Sequence, residues 1–139
     1  MKVESYLFLN GRTEEALDFY KKAIGAKTEA VIRMKDSPEP PPGGIPPGTE
    51  NKIMHCVFRV GETQIMASDM GEGKPEFKGF ALTIATPSEA EAQKLFQGVG
   101  EGGHVIQPLI KTFFSPAFGM VADKFGITWM VLVDTQQKK

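Results

Sequence analysis

Residues 3–25 read VESYLFLNGRTEEALDFYKKAIG and carry two periodicities back to back. VESYLFL is rich in β-branched and aromatic side chains and stops at Asn10-Gly11, which predicts a strand entering a turn. Beyond it Ala16, Phe19, Tyr20, Ala23 and Ile24 recur at the three- and four-residue spacing of one helical face. Thr13 is placed to cap this helix, Glu14 and Glu15 sit at its positive end, and Gly25 suits its C-terminal stop. An amphipathic helix issuing directly from a strand is built to cover a sheet.

Outward from this unit, KTEAVIRM at 27–34 predicts a second strand. The segment 37–50, SPEPPPGGIPPGTE, holds six of the ten prolines, so it forms neither a helix nor a central strand. Fourteen such residues inside a small domain point to a flap at the rim of a site, with a solvated excursion as the competing reading. KIMHCVFRV and TQIMASD then flank Gly61-Glu62 as a hairpin, and glycine first in the turn fits a type II′ geometry. Parity places Met54, Cys56, Phe58 and Val60 on an apolar face, with Ile53, His55, Val57 and Arg59 on the other. A two-residue turn sets Val60 against Thr63, Arg59 against Gln64, Val57 against Met66 and His55 against Ser68.

The pattern then repeats. GFALTIA predicts a strand, and TPSE at 86–89 a capping box with Thr86 as N-cap and Pro87 at the first helical position. Ala92, Leu95, Phe96 and Val99 supply an apolar stripe, the glycines from Gly98 to Gly103 end the helix, and three extended stretches follow: HVIQPLIKTFF, AFGMVAD and ITWMVLVD. The tail QQKK is polar. Strand, helix and three strands, occurring twice, make a repeat of roughly 65 residues; EALDFYKKAIG and EAQKLFQGVG are its most alike segments. The expected fold is α+β, two βαβββ modules at about 1–70 and 78–135 within one domain of residues 1–139. Each module leaves one sheet face uncovered by its helix, and paired sheets would enclose a cleft there.

Sixteen basic against seventeen acidic residues give a formal charge of −1, and neither sign forms a block that could track a phosphate backbone or lie on anionic lipid. No apolar run approaches the roughly 20 residues of a membrane span. The expected partner is therefore a small molecule, with neither nucleic acid nor membrane, and the open sheet edges favour a homodimer. The single cysteine, Cys56, cannot form an internal disulfide, and a cytoplasmic location follows as the expectation.

Within the expected cleft, His55 stands near Arg59 and Ser68. Histidine changes charge near neutrality and suits a general acid or base; a histidine held by ordinary packing is the competing reading. Arg59 and Gln64 suit the orientation of a polar group, and Asp69 closes its strand as a second acid/base candidate, or as an acceptor of local backbone N–H bonds. Cys56 points away from His55 and belongs to the core. Asp123 is expected to be structural. Trp129 either packs in the core with Ile127 and Val131 or stacks on a flat ligand.

YLFLNGRTEEALDFYKKAIGA, IMHCVFRVGETQIMASD, EGGHVIQPL and DKFGITWMV together resemble the PhnB-like branch of the vicinal oxygen chelate superfamily, over nearly the whole chain. The resemblance implies the fold of glyoxalase I, bleomycin-resistance proteins and extradiol dioxygenases, with frequent dimers. It leaves the chemistry open between metal-dependent isomerase or dioxygenase, a methyltransferase of the demethylubiquinone type, and a sequestering resistance protein. The superfamily's metal positions, carried over, fall at Ser5 or Tyr6, Ser68 or Asp69, Gly79 or Phe80, and Trp129 or Met130. Asp69 alone there is a ligand for a divalent cation, so no metal site is expected. The GVGEGG run follows a helix and leads into a strand, the reverse of a cofactor-cradling loop, and no cofactor is expected. Phe114-Ser115 stands where the branch often has Trp-Gly.

Overall fold

The computed structural model describes residues 1–39, 42–71 and 73–134. The polar tail and Pro40-Pro41 of the proline-rich segment lie outside the described residues. Two compact units, Met1–Pro75 and Glu76–Lys139, each carry one helix and one four-stranded mixed sheet. Both have the βαβββ order, and the α+β class expected from the sequence is the class observed.

In the first unit, β1 (Tyr6–Phe8), α1 (Thr13–Ile24), β2 (Lys27–Arg33), β3 (Ile53–Val60) and β4 (Thr63–Ser68) form a sheet ordered β1-β4-β3-β2. The β1-β4 pair is parallel and the others antiparallel. The hairpin register has Val60 opposite Thr63, Arg59 opposite Gln64 and Val57 opposite Met66, as a two-residue turn requires. Leu7, Leu9, Leu17, Tyr20, Cys56, Phe58 and Ile65 are buried, and the Tyr20 and Phe58 rings stack at 5.9 Å. Leu17 takes a core place that the spacing argument had given to Phe19 and Ala23, both half-buried.

The N-terminus of α1 corrects the expected cap. Arg12 holds the N-cap position without a side-chain cap bond, and Thr13 is the first helical residue. The acceptor comes from across the sheet: Asp69 Oδ1 accepts from Gly11 N at 2.9 Å and Thr13 N at 3.0 Å. A carboxylate at this position meets orphan N–H groups and the positive end of the helix dipole together, which a threonine hydroxyl cannot match. Gly25, at φ 71, closes the helix in the left-handed conformation.

In the second unit, β5 (Leu82–Thr86), α2 (Glu89–Val99), β6 (His104–Ile110), β7 (Phe118–Ala122) and β8 (Thr128–Val133) repeat the arrangement as β5-β8-β7-β6. Ser88, and not Thr86, caps α2, accepting from Glu91 N at 3.2 Å. Thr86 stays in β5 opposite Val133, and its hydroxyl donates to the Glu91 carboxylate. Pro87 therefore precedes the cap. Ala92, Phe96 and Val99 pack over Val121, Trp129, Val131 and Val133, all buried.

An open sheet face in the first unit as candidate site

Strand alternation turns Leu7 and Leu9 toward α1 and leaves Tyr6 and Phe8 on the opposite face. Register carries this face across the sheet: Tyr6 pairs with Met66, Met66 with Val57, and His55 with Ile32. Tyr6, His55, Val57 and Met66 are half-buried, and Phe8 is 53% exposed. The Tyr6 ring lies 4.9 Å from Phe8 and 5.8 Å from His55, centroid to centroid, with Tyr6 Oη 3.5 Å from His55 Nδ1. Flat side chains thus form one wall with a polar edge.

At the hairpin end of the face the polar groups form a chain. Arg59 Nε donates to Glu29 at 3.0 Å, its NH2 group to Gln64 Oε1 at 3.4 Å, and Gln64 Nε2 to Glu4 at 3.2 Å. The bond donated to Glu29 raises the pKa of Arg59, whose charge is permanent. Ser68 has the parity of this face, yet it is fully buried and its Oγ accepts from Met70 N.

His55, Arg59, Gln64 and Ser68 thus share one sheet face, whereas Asp69 and Trp129 do not join them. Both Asp69 oxygens are committed, Oδ1 to α1 and Oδ2 to Ile53 N at 2.8 Å. Burial by itself would raise the Asp69 pKa, but the Thr13 hydroxyl dipole and the N–H donors of Ile53, Thr13 and Gly11 outweigh it and hold the carboxyl below its ordinary value. The hydroxyl acts from nearby without hydrogen-bond geometry, since Thr13 Oγ1 is buried without a hydrogen-bond partner among the described residues. A carboxylate held in this way ties helix to sheet and is poorly placed to exchange protons with a ligand. Trp129 is 2% exposed, inside the second unit, and its Nε1 donates to Asp123 Oδ2 at 2.8 Å. Asp123 Oδ1 also accepts from Phe125 N and Ile127 N, which locks the β7-β8 turn. Cys56 is fully buried and its thiol is pushed up to about 11, chiefly by burial, which removes it as a nucleophile.

Sequence reasoning missed the aromatic wall of Tyr6 and Phe8. Their parity relative to Leu7 and Leu9 is present in the sequence, but the parallel pairing of β1 with β4 that places them beside His55 is not.

The donor set does not fit the metal that the resemblance implies. Asp69 is engaged by three backbone N–H groups, Trp129 is core, and among the described residues no cluster of three His, Cys, Asp or Glu side chains could hold an ion. The glycine-rich run does not fit a cofactor cradle either. A Cβ on Gly103 would stand 1.9 Å from Ala122 O, and one on Gly100 2.9 Å from Val121 Cγ2, so strand approach accounts for both glycines.

A family model described as 3-demethylubiquinone-9 3-methyltransferase matches residues 1–132. The chain belongs to this family. A curated relative, Protein YjdN of Escherichia coli, is 32% identical over 99% of this chain and 98% of that protein. Among solved structures, protein PA1353 from Pseudomonas aeruginosa is 36% identical with a TM-score of 0.82, covering 96% of this chain and 98% of that one. A PhnB protein from Bacillus cereus shares the fold at 23% identity, with a TM-score of 0.75 over 96% and 99% of the two chains. A glyoxylase/bleomycin resistance protein/dioxygenase domain from Frankia shares the fold at 14% identity, with a TM-score of 0.67 over 99% and 94% of the two chains.

Proposed function

We propose that the protein binds a compact, flat small molecule on the open face of the first sheet, with Tyr6 and Phe8 as the apolar wall, His55 as the acid/base or hydrogen-bonding group, and the Arg59-Gln64 pair orienting a polar substituent. The supporting observation is the cluster of half-exposed rings, Phe8 to Tyr6 at 4.9 Å and Tyr6 to His55 at 5.8 Å, on a sheet face that no helix of its own unit covers. Aromatic surface of this kind gains from stacking beyond the area it buries. The donor chemistry favours binding without a resident metal, and elemental analysis of the purified protein should find none at stoichiometric level.

A thermal-shift screen against flat aromatic compounds, divalent metal salts and S-adenosylmethionine tests this reading. Stabilisation is expected from members of the first group and should be lost in His55→Gln. Stabilisation by a metal or by S-adenosylmethionine that survives His55→Gln would refute it. In the same reading the protein is a cytoplasmic homodimer. Exposed Val105, Ile106 and Ile110 on the edge strand β6, beside Phe113 and Phe114, supply apolar surface for a second copy. Light scattering at micromolar concentration should return twice the chain mass.

A further inference from the structure

We propose that Tyr6 is a positioning residue for His55: its hydroxyl donates to Nδ1 and fixes the tautomer in which Nε2 carries the proton, so the site offers its ligand a hydrogen-bond donor. This rests on the reading of the open face as the binding face, and it narrows the ligand group met by His55 to an acceptor, such as a carbonyl or an anionic oxygen.

β1 and β3 are separated by β4, so Tyr6 and His55 sit two strand spacings apart, about 10 Å between backbones. Only long side chains leaning toward each other bridge that span, and here Tyr6 Oη comes within 3.5 Å of Nδ1 with the rings tilted by 32°. Such a bridge passes over β4, whose Ser68 is fully buried on the same face. The Phe8 ring lies 4.9 Å from that of Tyr6, a neighbour that limits its swing. Neutral imidazole has one donor and one acceptor nitrogen, and a phenolic O–H is the stronger donor of the two partners. With Nδ1 accepting, the proton resides on Nε2, which makes no hydrogen bond among the described residues. At 3.5 Å the contact is at the long end for such a bond.

The second histidine is an internal reference. His104 is exposed at the start of β6 and makes no side-chain hydrogen bond among the described residues. Imidazole nitrogen spectra of the 15N-labelled full chain, recorded without ligand well above the histidine titration range, report the protonated nitrogen of each ring. His55 is expected to show Nδ1 as acceptor and Nε2 as the protonated atom, more completely than His104. Tyr6→Phe keeps the ring and removes the hydroxyl, and it should erase the difference between the two histidines. Phe8→Leu keeps the hydroxyl and should preserve it. A wild-type spectrum with the His55 proton on Nδ1 overturns the proposal whether or not the variants fold, and so does a Tyr6→Phe spectrum identical to wild type. Because no ligand is present, either result is distinct from a failure of the binding reading, which would show as an unresponsive face in a compound screen.

Discussion

The two units share a topology and differ in the faces that their helices leave open. In the first, Tyr6, Phe8, His55, Val57 and Met66 lead into the polar chain of Arg59, Gln64 and Glu4. In the second, register pairs Met120 with Met130 and Phe118 with Leu132 on the corresponding face, with Gln107 beside Met120 and Thr83 beside Met130, and none of these six side chains titrates. The buried aspartates differ in the same way: Asp69 reaches from the end of its sheet to the start of α1, while Asp123 closes a hairpin and holds the indole of Trp129. Under the proposed reading, one scaffold used twice carries recognition chemistry in one copy and packing in the other.

The largest effect expected from this contrast is on stability. Asp69→Ala leaves the N–H groups of Gly11, Thr13 and Ile53 without their acceptor and should cost about 3 kcal/mol in chemical denaturation. Because the folded-state pKa of Asp69 is lowered, its contribution is fully present above the ordinary aspartate value and is lost as the pH falls through the lower folded value. The acid limb of the stability curve should therefore flatten in Asp69→Asn. An unchanged acid limb would remove Asp69 from its role as helix tie.

Next in size is Gly103→Ala. Its Cβ would collide with the backbone at Ala122, so the β6-β7 pairing must shift, at about 2 kcal/mol by analogy with overpacked cores. A neutral result would free the glycine run for another role. Arg59→Gln should leave stability nearly unchanged, since the ion pair with Glu29 is open to solvent and screened by it. Its consequence should appear in ligand affinity instead.

Much of this was legible in the chain. Apolar spacing gave both helices, Gly61-Glu62 gave the hairpin and its register, and the repeated order gave the fold class. The cap positions were not legible, because Asp69 reaches α1 across 56 residues of sequence and Ser88 competes with Thr86 in a run where either could serve. The parity of His55 and Arg59 placed them on the open strand face, while the aromatic wall depended on a parallel pair between the first and last strands of the unit, which no local pattern reports. Trp129 shows the limit of parity alone: its core packing was open on sequence and is settled by the bond from its indole to Asp123.

The methionines of the two open faces offer the most direct test of where binding occurs. Met66 lies on the face of the first unit beside Tyr6, and Met120 and Met130 lie on that of the second. Methyl-labelled methionine spectra, recorded while a set of small flat aromatic compounds is titrated, should show the Met66 signal moving with Met120 and Met130 unchanged, and no movement in His55→Gln. Movement of Met120 and Met130 with a still Met66 would contradict the assignment of binding to the first unit.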